Sequence, residues 1–268
     1  MKKLFAAASV VTTSALLSVG AQAAPLLKID AGAGMWMQDF SGELLDETIN
    51  LKDDLGISGT SNFYFYANVD HPIFILPDFK IRHQGLVAEG DEGSIPASIA
   101  AGDEFAGIDL SGITVDVDTT MDLTYTDFVL NYGLPLPMVD LDFGLNTRFI
   151  SGTFALKNSD AGVDESGTFS LPLPMGHVAA EFEIPGANVR VGGELNILPL
   201  DGASVTDYSI RARYFFPLPT NMLMKLGVEA GYHAFSMEVG DEVLGTDTAD
   251  LSSSVSASGI YAGATLRF

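Results

Sequence analysis

Four histidines, His71, His83, His177 and His233, are the only imidazoles in the 268-residue sequence, and there is no cysteine. Without a thiolate, nucleophilic catalysis would need a Ser or Thr set beside an imidazole and a carboxylate. The sequence contains no G-x-S-x-G, no H-E-x-x-H and no glycine loop of the phosphate-cradling kind. His233 shares a strand parity with Glu229, two alternate positions away, so a His–carboxylate pair can form there. Such a pair at an outer rim could act as a hydrolytic base; a lone inward histidine serves equally as one member of a polar network. The other chemistry-bearing groups are carboxylates in loops: Asp39, Glu43, Asp46, Glu47, Asp53 and Asp54, then Glu89 to Asp118, then Glu238 to Asp250. Hard cations take six to eight oxygen ligands, yet the D-x-[DN]-x-[DN]-G spacing is absent, and Thr114–Asp118 reads as simple β alternation. The acidic loops could hold divalent cations at the surface, or only keep it solvated. No catalytic residue, cofactor or metal ligand set is assigned.

The elements that would position these groups are strands. Alternating segments lie near 27–37, 57–69, 78–88, 120–133, 139–155, 176–184, 188–198, 204–216, 222–237 and 255–268, each bounded by turn residues. Met222, Met224, Leu226, Val228, Ala230 and Tyr232 share one face of the ninth, with Lys225, Gly227, Glu229, Gly231 and His233 on the other. Long acidic connections at 38–56, 89–119, 156–175 and 238–254 alternate with tight links such as Leu134–Pro137, Pro185–Ala187 and Pro217–Pro219.

The cations decide what lies outside. Of 13 Lys and Arg, Lys2 and Lys3 precede Leu4–Val19 and Ala21-Gln22-Ala23, the pattern of a cleaved signal peptide over 1–23, with the mature domain over 24–268. Nine of the remaining 11 fall on the polar parity of a strand: Lys28, Lys80, Arg82, Arg148, Arg190, Arg211, Arg213, Lys225 and Arg267. A soluble β-sandwich places its cations in solvent. Confinement to one parity fits a barrel whose other face is hydrocarbon, where a midplane Arg or Lys costs roughly 2–4 kcal/mol. The expected fold is therefore all-β, an antiparallel up-and-down transmembrane β-barrel of about 10 strands, with 8 and 12 as the neighbouring even counts. No run of 18 apolar residues follows the signal segment, so no transmembrane helix competes with this reading.

On the inward parity the cations face Asp30, Asp70, Asp127, Asp142, Glu181, Glu183, Glu194 and Glu229. The expected lumen network comprises Lys28, Asp30, Lys80, Arg82, Asp142, Arg148, Glu181, Arg190, Glu194, Arg211, Arg213, Lys225 and Glu229. It reads either as an ionic plug or as a thin polar pore. Inward glycines would leave room for Arg and Lys, or for water. Aromatics including Tyr64, Tyr66, Phe215 and Tyr261 are expected in an interfacial girdle, while Trp36 has lumen parity. His83 sits on the lipid parity, which is unusual for an imidazole.

The last strand ends at Phe268, with Leu266, Ala264, Ala262 and Ile260 on the same face; Phe268 and Leu266 resemble the signal read by the outer-membrane barrel assembly machinery. The whole chain from Ala24-Pro25-Leu26-Leu27-Lys28-Ile29-Asp30 through Leu171-Pro172-Leu173-Pro174-Met175 and Val191-Gly192-Gly193-Glu194 to Leu266-Arg267-Phe268 resembles a family of gammaproteobacterial outer-membrane barrel proteins, the "outer membrane protein with GlyGly" type. The resemblance implies an outer-membrane location in a Gram-negative cell with both termini periplasmic, and brings no activity with it. A net charge of −22 excludes a nucleic-acid partner. Three functions remain: a structural or surface-interaction barrel contacting outer-membrane lipids, lipopolysaccharide or cations; a narrow passive channel; and a rim hydrolase.

Overall fold

A segment whose side chains alternate in polarity is stable only when both backbone edges are paired and its two faces meet different media. The computed structural model describes residues 27–45, 48–73, 75–96, 104–105, 108–109, 113, 115–200, 203–219, 223–240 and 252–268. The expected signal peptide and the first mature residues lie outside this set. Among the described residues there is no helix long and apolar enough to cross a membrane.

The strands are β1 (Lys28–Leu44), β2 (Ile49–Asn50), β3 (Thr60–Asp70), β4 (Asp78–Gln84), β5 (Val87–Ser94), β6 (Glu104–Phe105), β7 (Ile108–Asp109) and β8 (Asp116–Asp122). They continue as β9 (Tyr125–Leu136), β10 (Val139–Asn158), β11 (Val163–Ile184), β12 (Val189–Leu200), β13 (Ala203–Phe215), β14 (Lys225–Gly240) and β15 (Ser252–Arg267). Ten of them close a ring, β1–β3–β4–β9–β10–β11–β12–β13–β14–β15 and back to β1, every pair antiparallel. The chain is a closed ten-stranded β-barrel. Tight links gather at one end: Leu136 pairs with Val139 across Pro137-Met138, and Ile184 pairs with Val189 across Pro185–Asn188. Met138 and Gly186 take left-handed φ of 69° and 76° to make these turns. Both ends of the ring, Lys28 and Arg267, stand at this same end.

Several connections differ from expectation. Residues 156–175 are not a long loop: β10 runs to Asn158 and β11 starts at Val163, so this hairpin projects far beyond its neighbours. Likewise 38–44 continue β1, and 89–94 and 116–119 form β5 and β8. The Leu171–Pro174 stretch is likewise strand, not loop. Pro172 and Pro174 pair with β10 on one side only, because the β11–β12 ladder ends at Gly176–Ile197. A proline has no N–H to give, so it is tolerated where an edge is already free.

The faces exchange character partway up. On β13, Phe216, Tyr214, Ala212, Ile210 and Tyr208 face outward, followed by Thr206 and Ser204; inward come Arg213, Arg211, Ser209 and Asp207, followed by Val205 and Ala203. On β15, outward Leu266, Ala264, Ala262 and Ile260 give way to Ser258, Ser256 and Ser254, while inward Thr265, Gly263 and Tyr261 give way to Ala257 and Val255. On β1, outward Met35 and Met37 give way to Asp39, Ser41 and Glu43 as Phe40 and Leu44 turn inward. The change falls on one cross-strand row, since Tyr208, Ala234, Ser258 and Asp39 are successive register partners. Below this row the barrel is apolar outside and polar inside; above it the order is that of a water-soluble protein. The apolar belt spans about eight residues of strand, roughly 20 Å at ~3.4 Å per residue and ~40° tilt, against an expected band of about 25 Å.

Above the row the ring parts into two leaves. One is β11, β10, β8 and β5; the other is β12, β13, β14, β15 and β1. Between them lies an apolar core including Trp36, Phe40, Ile150, Phe154, Phe235 and Met237. The chain after β1 folds down into the same space and buries Leu51, Leu55 and Ile57. Asn50 holds this turn, its Oδ1 accepting from Lys52 N at 2.9 Å and its N–H donating to Asp54 Oδ2 at 2.7 Å.

Candidate functional site

The polar half of the lumen is built by residues two apart on each strand, so neighbouring strands stack charges in layers. The central layer is a four-member cluster. Asp127 (β9) and Asp207 (β13) lie between Arg82 (β4) and Arg148 (β10). Arg82 Nη2 donates to Asp127 Oδ2 at 2.7 Å and Asp207 Oδ1 at 3.0 Å. Arg148 Nε donates to Asp127 Oδ1 at 2.7 Å, and its Nη2 to Asp207 Oδ2 at 2.9 Å. Tyr125 donates its hydroxyl to the same Oδ2 at 2.8 Å, and its ring lies 3.7 Å below the Arg148 guanidinium. Two cations and two anions, all nearly or fully removed from solvent, make a neutral knot. His233 Nε2 meets Asp207 Oδ2 at 3.1 Å and stacks on Trp36 with ring centroids 4.2 Å apart.

Around this knot, Lys80 binds Glu194, and His177 Nδ1 lies 2.8 Å from Asn196 Oδ1. Glu229 accepts from Tyr64 at 2.7 Å and from Tyr66 at 2.8 Å. Nearer the short-turn end, Glu181 is shared by Arg190 and Arg213, and Arg213 Nη1 reaches Asp30 Oδ1 at 2.8 Å. Arg190 also binds Asp140.

Of the residues expected to line the lumen, Asp30, Lys80, Arg82, Arg148, Glu181, Arg190, Glu194, Arg213 and Glu229 enter these pairs. Arg211 touches Glu181 only at 3.6 Å. Asp142 and Lys225 make no ion pair among the described residues, Lys225 standing opposite Arg267 at the strand end. Lys28 is exposed at the rim beside Asp70, its register partner. Asp207, the best connected carboxylate of the knot, escapes a charge-pairing reading of the sequence although it shares parity with Arg211 and Arg213; that parity is the signal that could have found it.

Three expectations are corrected by the packing. Tyr64, Tyr66 and Tyr261 are not girdle residues but lumen residues, buried to 5%, 6% and 8% exposure, and Phe215 also turns inward. At Gly32, Gly34, Gly231 and Gly263 the room goes to those rings rather than to Arg or Lys: a Cβ at Gly32 would sit 2.6 Å from the Tyr66 ring, and one at Gly263 would sit 2.5 Å from the Tyr64 hydroxyl. His233 is not at the rim but beneath the apolar core, under Trp36. His83 keeps its outward parity, stacks on Phe65 and bonds Thr126 Oγ1 at 3.0 Å. An imidazole on the apolar outer face is thereby given a polar partner and an aromatic lid.

Among the described residues the polar half retains open space. A pocket of about 260 Å³ opens at the short-turn end, and a void of about 30 Å³ lies deeper, between Tyr64, Arg82, Glu229 and Tyr261. Beyond it the lumen is filled by Trp36, Phe40, Phe235 and Met237. Among the described residues no group of three His, Asp or Glu converges closely enough to hold a metal ion; residues 97–103 and 241–251 of the acidic loops lie outside that set.

No protein-family model matches the chain, and no curated sequence does. The family suggested by the sequence landmarks thus rests on those landmarks alone. Among solved structures, the outer membrane protease OmpT from Escherichia coli overlays at 12% identity and a TM-score of 0.43, covering 90% of this chain and 96% of that one. A deltaS2S3 mutant of the monoaromatic hydrocarbon channel TodX gives 9% identity and a TM-score of 0.33, with 91% of each chain covered. The toluene transporter TodX of P. putida gives 11% and 0.28, with 91% and 90% covered. At these scores neither a reaction nor a substrate carries over, and the fold rests on the strand pairing itself.

Proposed function

We propose that the chain is an integral outer-membrane barrel with both termini periplasmic and a sealed lumen, and that its working part is the acidic, water-facing half above the membrane. The observation that carries this reading is the exchange of faces along one cross-strand row. Below it an apolar belt suits lipid; above it polar faces and a buried core suit water. The ionic knot and the apolar core lie in series, which opposes a continuous water path and weighs against the narrow-channel alternative. A structural or surface-interaction role follows, with lipopolysaccharide, divalent cations or another cell-surface component as partners of the outer half, and with the assembly machinery reading Phe268 and Leu266. The test is single-channel recording of the refolded mature protein in a planar bilayer, with heat-modifiable gel mobility as the folding control. Silence from folded protein is the expected outcome; discrete conductance steps would replace the sealed lumen with the channel.

A further inference from the structure

The pocket at the short-turn end is electrically polarised across its width. One wall, from β3, β4 and β10, carries Asp70, Asp78 and Asp142, with Lys80 of β4 beside them but committed to Glu194; the facing wall, from β13 and β15, carries Arg211, Arg213 and Arg267. The two walls are not equally satisfied. Arg213 and Arg267 are answered by Asp30, whereas Asp142 makes no ion pair among the described residues. Two amide oxygens on the acidic side also lack donors. Asn68 gives its Nδ2 to Asp70 Oδ1 at 2.6 Å, which fixes the orientation of its amide and leaves its own Oδ1 unpaired. Asn131 is 3% exposed, lines the pocket, and its Oδ1 has no donor either. A buried acceptor without a donor costs about 1–3 kcal/mol, so a wall of such acceptors calls for a donor-rich guest. The carboxylates are too dispersed for a metal ion, which leaves an organic cation. Across the space, Arg211 has Glu181 as its nearest carboxylate at 3.6 Å, beyond hydrogen-bond reach. Its donors are available to an anion.

We propose that this pocket binds a small zwitterion of the amino-acid or dipeptide class, its ammonium against Asp142 and Asn131 and its carboxylate against Arg211. The volume of about 260 Å³ admits a guest of that size. An ammonium supplies the missing donor to Asn131 Oδ1, and a carboxylate can take two parallel bonds from a guanidinium. The site is independent of the sealed-lumen reading, because it needs neither a membrane nor a path through the barrel.

The test uses the refolded mature protein in detergent micelles and three probes followed by ligand-observed NMR titration: alanyl-alanine, its C-terminal amide, and its N-acetyl derivative. The free dipeptide is expected to bind about tenfold more tightly than either blocked form, a difference of about 1.4 kcal/mol. Asp142→Asn should weaken the dipeptide and its amide and leave the N-acetyl form unchanged; Arg211→Gln should do the reverse. Asp142→Asn removes no ion pair among the described residues, so it tests the site without testing the fold, and heat-modifiable mobility checks both variants. Absence of dipeptide binding, or binding indifferent to Asp142→Asn, would overturn the proposal. Equal affinity for dipeptide and amide would reduce the pocket to a cation site and overturn the zwitterion.

Discussion

Arg148 on β10 and Asp207 on β13 meet at 2.9 Å inside the barrel, although two other strands separate theirs in the ring. Both are at 0% exposure. Asp207 also accepts from Arg82, Tyr125 and His233, so its charge ties β4, β9, β10 and β14 to β13. Asp207→Asn leaves Arg148 with Asp127 alone and Arg82 with Asp127 and, at 3.6 Å, Glu194. The expected loss is about 3–5 kcal/mol, the usual penalty for removing one partner of a buried pair, read as unfolding free energy in a urea titration of the folded protein. Changing Arg148 and Asp207 together to Met and Leu should cost less than the sum of the single changes. A single Asn variant as stable as the parent would show that the knot contributes nothing.

The exchange of faces can be checked by placing one charge at two heights. Ile210 is outward and 59% exposed in the apolar belt, whereas Ser170 is outward on the projecting part of β11. Ile210→Arg is expected to destabilise the bilayer-inserted protein by roughly 2–4 kcal/mol. Ser170→Arg should stay within about 0.5 kcal/mol. Equal costs at both positions would remove the boundary.

Tyr66 occupies the space over Gly32. Gly32→Ala places a methyl 2.6 Å from the ring, and the ring is held by Glu229 and Thr265. An overpacking loss of about 1–3 kcal/mol is expected. In the background of Tyr66→Ala the same change should become nearly neutral, a coupling that a double-mutant cycle measures directly.

Trp36 is the single tryptophan, fully buried, with its indole N–H donating to Gly259 O at 3.2 Å. Its emission should be blue-shifted and poorly quenched by acrylamide in the folded protein. Phe235→Ala opens the same core and should cost about 3–5 kcal/mol while raising the quenching. Strong quenching in the parent would mean that water reaches the indole and that the lumen is not closed at that level.

Strand count, closure and the direction of most charged and aliphatic lower-half side chains are legible in the sequence, because a parity of two leaves little freedom when the two faces meet different media; the inward Tyr64, Tyr66, Tyr261 and Phe215 are not, since an aromatic suits a girdle and a lumen alike. Lys80, Arg82, Arg148 and Arg213 announce the inner face, and Leu266 and Phe268 the outer. The upper half is less legible because the apolar residues change parity within continuous strands: Tyr232 is outward and Phe235 inward on β14, with no break between them. A reading that takes polar runs as loops stops at that point, which is why residues 156–175 were expected outside the sheet. Cross-lumen partners such as Asp207 and Arg148 are hidden for another reason. They are neighbours only through barrel curvature, which no local spacing records.

The β11–β12 ladder counts nine register pairs, from Ile184–Val189 to Gly176–Ile197, and stops where Pro174 and Pro199 follow. Nine pairs at ~3.4 Å and ~40° tilt reach roughly 20–25 Å, close to the apolar band expected of a barrel set in a bilayer. Lipid tolerates no unpaired backbone edge, and water does. The two prolines therefore act as a ruler: between β11 and β12 the hydrogen-bonded hoop ends beside them, so in the proposed membrane reading the thickness the barrel fits is written in proline positions and not in the length of its loops.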